Sequence, residues 1–472
     1  MSITFRRPDV GGYRELALLA GPIAGVQLAQ VALTTVDLAM LGLLGVTAVA
    51  AGGLAILLYN QVRTMCVGMV TGVGNLIAAA AGRGEQRTGS VDLDADAEDE
   101  IRSLLRSALL VATLTAAAGA AVLVGIALLL PLLGQRAEVV SLARAMLYAL
   151  AGGLFPMVWL NVLRQFAVGL RRPGSLLAVT IVSIGVNAAL NAVFIYGWLG
   201  LPKLGVAGVG LATSLVQVFT LAAFVSTLRR DRMLRSLVSL AAWRADPKVV
   251  RHIVRHGTPI CLTYGSEAAI TSIATLMMGG FGPAMLAASN VVNQLAYIVY
   301  QCNIGLSQGA SILLSRALAR GETDAPMVVA RRVLTASWSL MAVVSIFYLA
   351  VPGVALWPFL GAHADAAVIG TASTLLVFAV VQQFCKGTQN IFVGLLRGLG
   401  DTKSGLRGTL IGYWGVGVPV MALCAYVFGW EGWGVWTGLC AGFGTTALLL
   451  GRKFWRSWNS ERDDSGNEVA GR

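Results

Sequence analysis

Apolar residues dominate long runs of this chain, and polar residues gather in short stretches between them. Residues 109–133 and 176–202 hold no charged side chain. A helix rises about 1.5 Å per residue, so roughly 20 apolar residues cross the hydrocarbon of a bilayer. Lipid offers the backbone no hydrogen bonds, which leaves helices or closed barrels, and runs this rich in Leu and Ala read as helices. The pattern predicts twelve spans: 13–42, 47–81, 103–133, 139–168, 175–200, 205–228, 251–281, 285–318, 329–353, 366–397, 404–428 and 432–456. The acidic stretch 88–100 (TGSVDLDADAEDE) has no apolar periodicity and reads as a flexible loop. The polar tail from Ser457 reads as disordered.

The chain repeats itself. A shift of 237 brings Pro22-Ile23 onto Pro259-Ile260, Met40, Gly42 and Gly45 onto Met277, Gly279 and Gly282, and Ala50-Ala51 onto Ala287-Ala288. The same register carries Gly68, Gly72 and Arg83-Gly84-Glu85 onto Gly305, Gly309 and Arg320-Gly321-Glu322. Farther on, Gly205, Gly208, Gly210 and Thr213 match Gly429, Gly432, Gly434 and Thr437 at another shift. Six spans per half is an even number, so the halves share one orientation and the repeat is parallel. The expected architecture is all-α and membrane-integral. An N-terminal segment 1–12 precedes a six-helix half 13–228, a linker 229–250, a second half 251–456 and a tail 457–472. In transporters built this way the solute path lies between the halves, which rock against each other.

Charge sharpens the picture. Only 12% of residues are charged against 56% hydrophobic, where a soluble domain carries about 25% charged residues. The net charge of +12 invites a nucleic-acid reading, but its placement argues against one. Basic residues fill every second loop: Arg6, Arg7 and Arg14; Arg83, Arg87, Arg102 and Arg106; Arg171 and Arg172; and so on to Arg452, Lys453 and Arg456. Arg136 and Lys203 are the main exceptions. This positive-inside pattern puts both termini and the linker in the cytoplasm of a cell carrying the protein in its inner membrane. The first span shows no cleavage site and reads as retained. The six cysteines lie in apolar spans without metal-ligand spacing and read as small buried hydrophobes.

Ionisable side chains deep in lipid are costly and mark candidate sites. Within the spans these are Asp37, Arg63, Arg164, Glu267 and Lys386. Asp37 lies roughly 8 Å below the outer end of its span, Thr213 at a similar depth, and Asn187 and Asn191 share one face of the fifth span. A carboxylate among amide and hydroxyl oxygens can hold a proton or a hard cation; the same set also serves as polar glue between helices. Glu267 and Lys386 lie roughly 18 and 16 Å from the cytoplasmic side, so they can meet as a structural or a switchable ion pair. Gln389 joins them in the C-terminal polar site. Arg63 is placed to bind an anionic group or to pair with Asp37. Arg164 reads as near enough to the cytoplasmic end to snorkel. His252 and His256 read as interface anchors, without a metal. Pro22, Pro156, Pro259 and Pro419 are expected to kink their spans, Pro22 as a hinge below Asp37. No phosphate-binding loop and no Ser/His/Asp set appears, so the chain reads as no enzyme, with no cofactor beyond a coupling ion.

The stretch PIAGVQLAQVALTTVDLAMLG (22–42) resembles the first helix of the MATE family, the multidrug and toxic compound extrusion transporters. GVAGVGLATS (205–214) and LLRGLGDTKSG (395–405) extend the resemblance over roughly 12–456. It implies twelve helices around a central V-shaped cavity and ion-driven export of small organic compounds by a monomer in the membrane lipid. It also implies that Asp37, with Asn187, Asn191 and Thr213, binds the coupling ion, and that Glu267 matches an acidic position on the seventh helix. Lys386 departs from the pattern, standing where many members carry Asp. A fixed ammonium there repels Na⁺, which favours Asp37 and H⁺. Two alternatives share the architecture: a flippase for a lipid-linked sugar, and an exporter of an anionic or zwitterionic metabolite.

Overall fold

The computed structural model describes residues 12–90, 92–133, 136–200, 202–360 and 366–470. Residues 1–11, and with them Arg6 and Arg7, lie outside this description. The first half comprises α1 (Tyr13–Gly42), α2 (Val46–Thr71), α3 (Val73–Thr88), α4 (Ala95–Leu129), α5 (Ala137–Gly169), α6 (Gly174–Tyr196) and α7 (Gly205–Arg230). The short helix α8 (Leu234–Leu237) sits in the linker. The second half comprises α9 (Pro247–Gly279), α10 (Pro283–Ala319), α11 (Ala325–Ala350), α12 (Pro352–Leu360), α13 (Ala366–Gly398), α14 (Thr402–Thr409), α15 (Val418–Ala422) and α16 (Glu431–Ala470).

These helices make the twelve spans read from the sequence. The helices α2 and α3 run on through Gly72, whose φ of −66° is helical. Two π-helical segments, Leu410–Gly417 and Leu423–Val427, join α14 and α15 into one span. They flank Pro419, whose missing N–H already interrupts the α-helical ladder. Among the described residues, eleven spans are both long and apolar enough to cross a membrane. The twelfth, α10, has ample length at 37 residues; Asn290, Asn293, Gln294, Gln301, Asn303 and Gln308 lower its hydropathy. Large apolar side chains such as Leu114, Leu132, Leu276, Val343 and Ile346 point outward, an arrangement that suits a hydrocarbon solvent and not water.

Two segments differ from expectation. Of the acidic stretch 88–100, residues 95–100 form the first turns of α4, while 89, 90 and 92–94 lie outside the helices. Asp94 caps α4 by accepting a hydrogen bond from the Ala97 N–H at 3.1 Å, and Asp96 and Glu98 complement the dipole in its first turn. Arg87 pairs with Asp94 at 2.6 Å and holds that carboxyl below the usual range. The polar tail continues α16 to Ala470, because extending an existing helix costs far less than nucleating one.

Contacts divide the chain into two compact units, Gly25–Gly265 and the residues through Ala24 with Ser266–Arg472. Within each unit the second span packs on the fourth, and the fourth on the sixth: α2 with α5 and α5 with α7 in one, α10 with α13 and α13 with α16 in the other. The boundaries fall just after Pro22 on α1 and after Pro259 on α9. The start of α9 therefore packs against α2, where a Cβ on Gly68 would stand 2.8 Å from the Cys261 Cα. The start of α1 packs against α10, where a Cβ on Gly305 would stand 2.8 Å from the Ala24 backbone nitrogen. Gly68 and Gly305 are equivalent under the shift of 237, so both halves use one small-residue crossing.

Candidate functional site

In the Gly25–Gly265 unit, α1, α6 and α7 converge on Asp37. Asn191 Nδ2 donates to Asp37 Oδ1 at 2.8 Å, and the Thr213 hydroxyl donates to Asp37 Oδ2 at 2.8 Å. Asn191 Nδ2 also donates to Asn187 Oδ1, one turn away on α6, at 3.2 Å. Asp37 is 6% exposed, Asn187 and Asn191 1% or less. Asn187 Nδ2 and Asn191 Oδ1 meet no partner among the described residues. Glycines set this geometry. A Cβ on Gly153 would stand 2.9 Å from the Ser214 Cα, and one on Gly210 would stand 2.9 Å from the Met146 oxygen. Their absence lets α7 lie close on α5, with the Ser214 hydroxyl bonded to the Ala149 carbonyl at 2.7 Å, and turns neighbouring Thr213 toward Asp37.

Beside Asp37 lies a cavity of about 50 Å³, lined among others by Gln30, Thr34, Tyr59, Asn60 and Arg63. Arg63 does not pair with Asp37. Its Nη2 donates to Gln30 Oε1 at 3.2 Å. Arg164 does not snorkel. Residues 160–170 of this region are all buried, Arg164 is 4% exposed, and its Nη2 donates to Gln27 Oε1 at 2.8 Å. Depth along the helix suggested an exit that the packing closes.

In the other unit, α9 and α13 bring Glu267 Oε1 to 3.2 Å from Lys386 Nζ, with both side chains about one-sixth exposed or less. The ammonium stands 4.1 Å from the centre of the Tyr300 ring and 5.2 Å from that of Phe443. Asn390 Nδ2 donates to the Tyr300 hydroxyl at 2.8 Å and fixes that ring. Gln389 donates to the buried Tyr413 hydroxyl, whose ring meets Phe443 edge-on at 5.2 Å. Sequence reasoning missed Tyr300 and Phe443, because aromatic residues in an apolar span carry no local signal of a cage. It also missed Gln27 and Gln30, although amides one turn apart in a membrane helix were legible. Pro22 lies inside α1, which continues through it. His252 and His256 have ring centres 4.2 Å apart; among the described residues no group of three His, Cys, Asp or Glu side chains could hold a metal.

A family model described as MatE matches residues 22–193 and 259–423. The two matches begin 237 residues apart, the shift of the internal repeat. A "Probable multidrug resistance protein NorM" of Pseudomonas aeruginosa is 32% identical over 467 residues, covering 96% of this chain and 91% of the relative. A protein of the same name from Rhizobium meliloti is 33% identical over 447 residues, covering 94% and 93%. Among solved structures, a "multidrug resistance MATE family transporter of the MOP superfamily" in an outward-facing conformation superposes with a TM-score of 0.82 at 18% identity, covering 96% of this chain and 97% of that one. The "eukaryotic MATE transporter AtDTX14" superposes with a TM-score of 0.80 at 18% identity, over 96% and 98%. At such identities these likenesses speak for the fold alone.

Proposed function

Because the chain belongs to the MatE family of multidrug and toxic compound extrusion transporters, we propose that it exports small organic compounds in exchange for protons, by alternating access. It is a multi-pass membrane protein and a multidrug efflux transporter, not an enzyme. The finer reading sets it in the cytoplasmic membrane as a monomer, with both termini in the cytoplasm and helices 13–228 and 251–456 as the rocking halves. One observation carries H⁺ over Na⁺: each membrane-embedded acid is already met by protein hydrogen-bond donors. Asp37 has Asn191 and Thr213, and Glu267 has Lys386. A hard metal ion requires several oxygens free to turn their lone pairs toward it, whereas a proton requires one.

Proton binding and release follow from the same atoms. As a carboxylate, Asp37 accepts from the Asn191 amide N–H and the Thr213 hydroxyl. As an acid it has an O–H to donate, and Asn191 Oδ1, otherwise without a partner, accepts it after the amide turns over. The α6–α1 contact is thereby remade when the proton arrives, and a cationic group held by the carboxylate is released. Pro22 leaves the Leu18 carbonyl without its helical donor, which makes the segment around Pro22 the place where α1 bends. The test is efflux of a cationic dye from proteoliposomes under an imposed pH gradient or an imposed Na⁺ gradient. Wild type is expected to respond to the pH gradient, and Asp37→Asn to lose that response. Efflux driven by Na⁺ alone, or coupling unchanged in Asp37→Asn, refutes the reading.

A further inference from the structure

We propose that Arg63 and Arg164 form an oxyanion subsite that takes the carboxylate of an exported compound. Among the described residues neither arginine is paired with an acid. Arg164 Nη2 donates to the neutral Gln27 amide at 2.8 Å, and its Nε meets no acceptor among the described residues, although the side chain is 96% buried (4% exposed). Arg63 Nη2 donates to the neutral Gln30 amide at 3.2 Å. A buried guanidinium without a counter-charge is costly. An amide oxygen relieves part of that cost, and leaves unused the fork of donors that a carboxylate matches with two parallel bonds.

The two arginines address one place. Gln27 and Gln30 are three apart on α1 and share a face. Arg164 lines a cavity of about 20 Å³ with Asn161, Thr180, Ser183 and Thr220. Arg63 lines the cavity of about 50 Å³ beside Asp37. Gln30, Leu33 and Gln217 belong to the walls of both. The smaller space admits a group of about the size of a water molecule, enough for one oxygen of a carboxylate and not for a whole organic compound, whose body would extend toward Asp37. Charge points the same way. The charged residues lining the two cavities are Arg63, Arg164 and Asp37, two positive and one negative, so a single carboxylate brings the set to neutrality. A zwitterion meets both signs of the set, its cationic group competing with the proton at Asp37 while its carboxylate rests on the arginines, and leaves the net charge of the three side chains unchanged. The release step rests on the proton-exchange reading above; binding itself does not. If the arginines serve only to tie α2 and α5 to α1, their replacement weakens the protein without regard to the charge of the ligand.

The probes are a xanthylium dye bearing a free carboxylate and its methyl ester, which share the cation and differ only at the acid. Binding is read by fluorescence polarisation on the full-length protein in detergent, in chloride buffer so that an inorganic anion competes throughout. Wild type is expected to prefer the free acid by about tenfold or more. Arg63→Gln and Arg164→Gln are each expected to lose that preference while the ester binds within about twofold of wild type. Arg164→Lys, which keeps the charge without the fork, should fall between. Ester binding doubles as the check on folding: if Arg164→Gln loses both dyes, the half-buried Arg63 decides through Arg63→Gln. Equal binding of acid and ester by wild type, equal losses for both dyes in Arg63→Gln, or a preference seen only without chloride overturns the proposal. Loss of proton coupling in vesicles with the acid preference intact would sink the preceding reading alone, and the converse would sink this one alone.

Discussion

Removing one partner of the Glu267–Lys386 pair should cost more than removing both. At 3.2 Å and an effective dielectric of about 20, two unit charges attract by about 5 kcal/mol. Withdrawing both from water offsets most of that gain, so the intact pair contributes little net stability. Lys386→Met, however, leaves the Glu267 carboxylate about 15% exposed with no opposing charge, which costs about 3 kcal/mol. Part of the loss also falls on Tyr300, whose ring now faces the ammonium at 4.1 Å, an interaction of about 1 kcal/mol. Glu267→Gln strands the ammonium in the same way, although the aromatic rings soften its loss. The double variant Glu267→Gln/Lys386→Met should return to within about 1 kcal/mol of wild type, because nothing charged is left buried. The expected coupling is then about 2 kcal/mol or more, well above the roughly 0.5 kcal/mol within which independent sites add. Unfolding of the detergent-solubilised protein by added denaturing surfactant, followed by the near-ultraviolet signal of its tryptophans, reads the four corners of this cycle. Two single variants whose costs simply add in the double variant would refute the argument, and with it the view that Lys386 neutralises Glu267.

Other consequences are accessible to the same preparations. Asn191→Ala should leave Asp37 with Thr213 as its remaining donor of those two and lower pH-driven dye efflux at least tenfold, while Ser214→Ala, one residue from Thr213 but bonded to the α5 backbone, should leave pH dependence unchanged. Partial burial raises the Asp231 carboxyl, but the N–H groups of Leu234 and Met233 and the Arg172 guanidinium at 3.0 Å together hold it below its ordinary value. A lowered pKa means that the contribution is complete above about pH 4 and is lost as pH falls through the folded value. Hydrogen-exchange protection at 233–238, taken relative to the intrinsic rate at each pH, should therefore be high at neutral pH and fall at strongly acid pH, and Asp231→Ala should remove the difference. Gly68→Val and Gly305→Val each force a Cβ into opposing backbone and should destabilise by about 1–3 kcal/mol, with matching losses at the two sites, measured by the same surfactant titration.

What was legible in the sequence followed from quantities that one strand of text carries. Hydrophobic length placed all twelve spans, and the shift of 237 paired the glycine crossings at Gly68 and Gly305 before any contact was known. Counting rise along two separate helices put Asp37 and Thr213 at a similar depth, helical spacing put Asn187 and Asn191 on one face, and the hydrogen bonds join Asp37 to Asn191 and Thr213. The same counting brought Glu267 and Lys386 within reach of each other. Depth is one coordinate, however, and the errors lie in the other two. Arg164 is five residues from the end of α5, so counting allowed it an exit. Its azimuth is what buries it, and azimuth is hard to read from α5, where apolar residues occur on every face and Asn161 and Gln165 are the only polar residues beside the arginine in sequence. Arg63 failed differently: its depth permitted Asp37, but its guanidinium meets the Gln30 amide on α1 instead, while Asn191 and Thr213 donate to the Asp37 carboxyl. A charge in a membrane span is therefore assigned a partner only after the neutral amides within reach have been counted. In this chain that count leaves two arginines beside one engaged acid, an excess of positive charge in the unit that also carries Asp37.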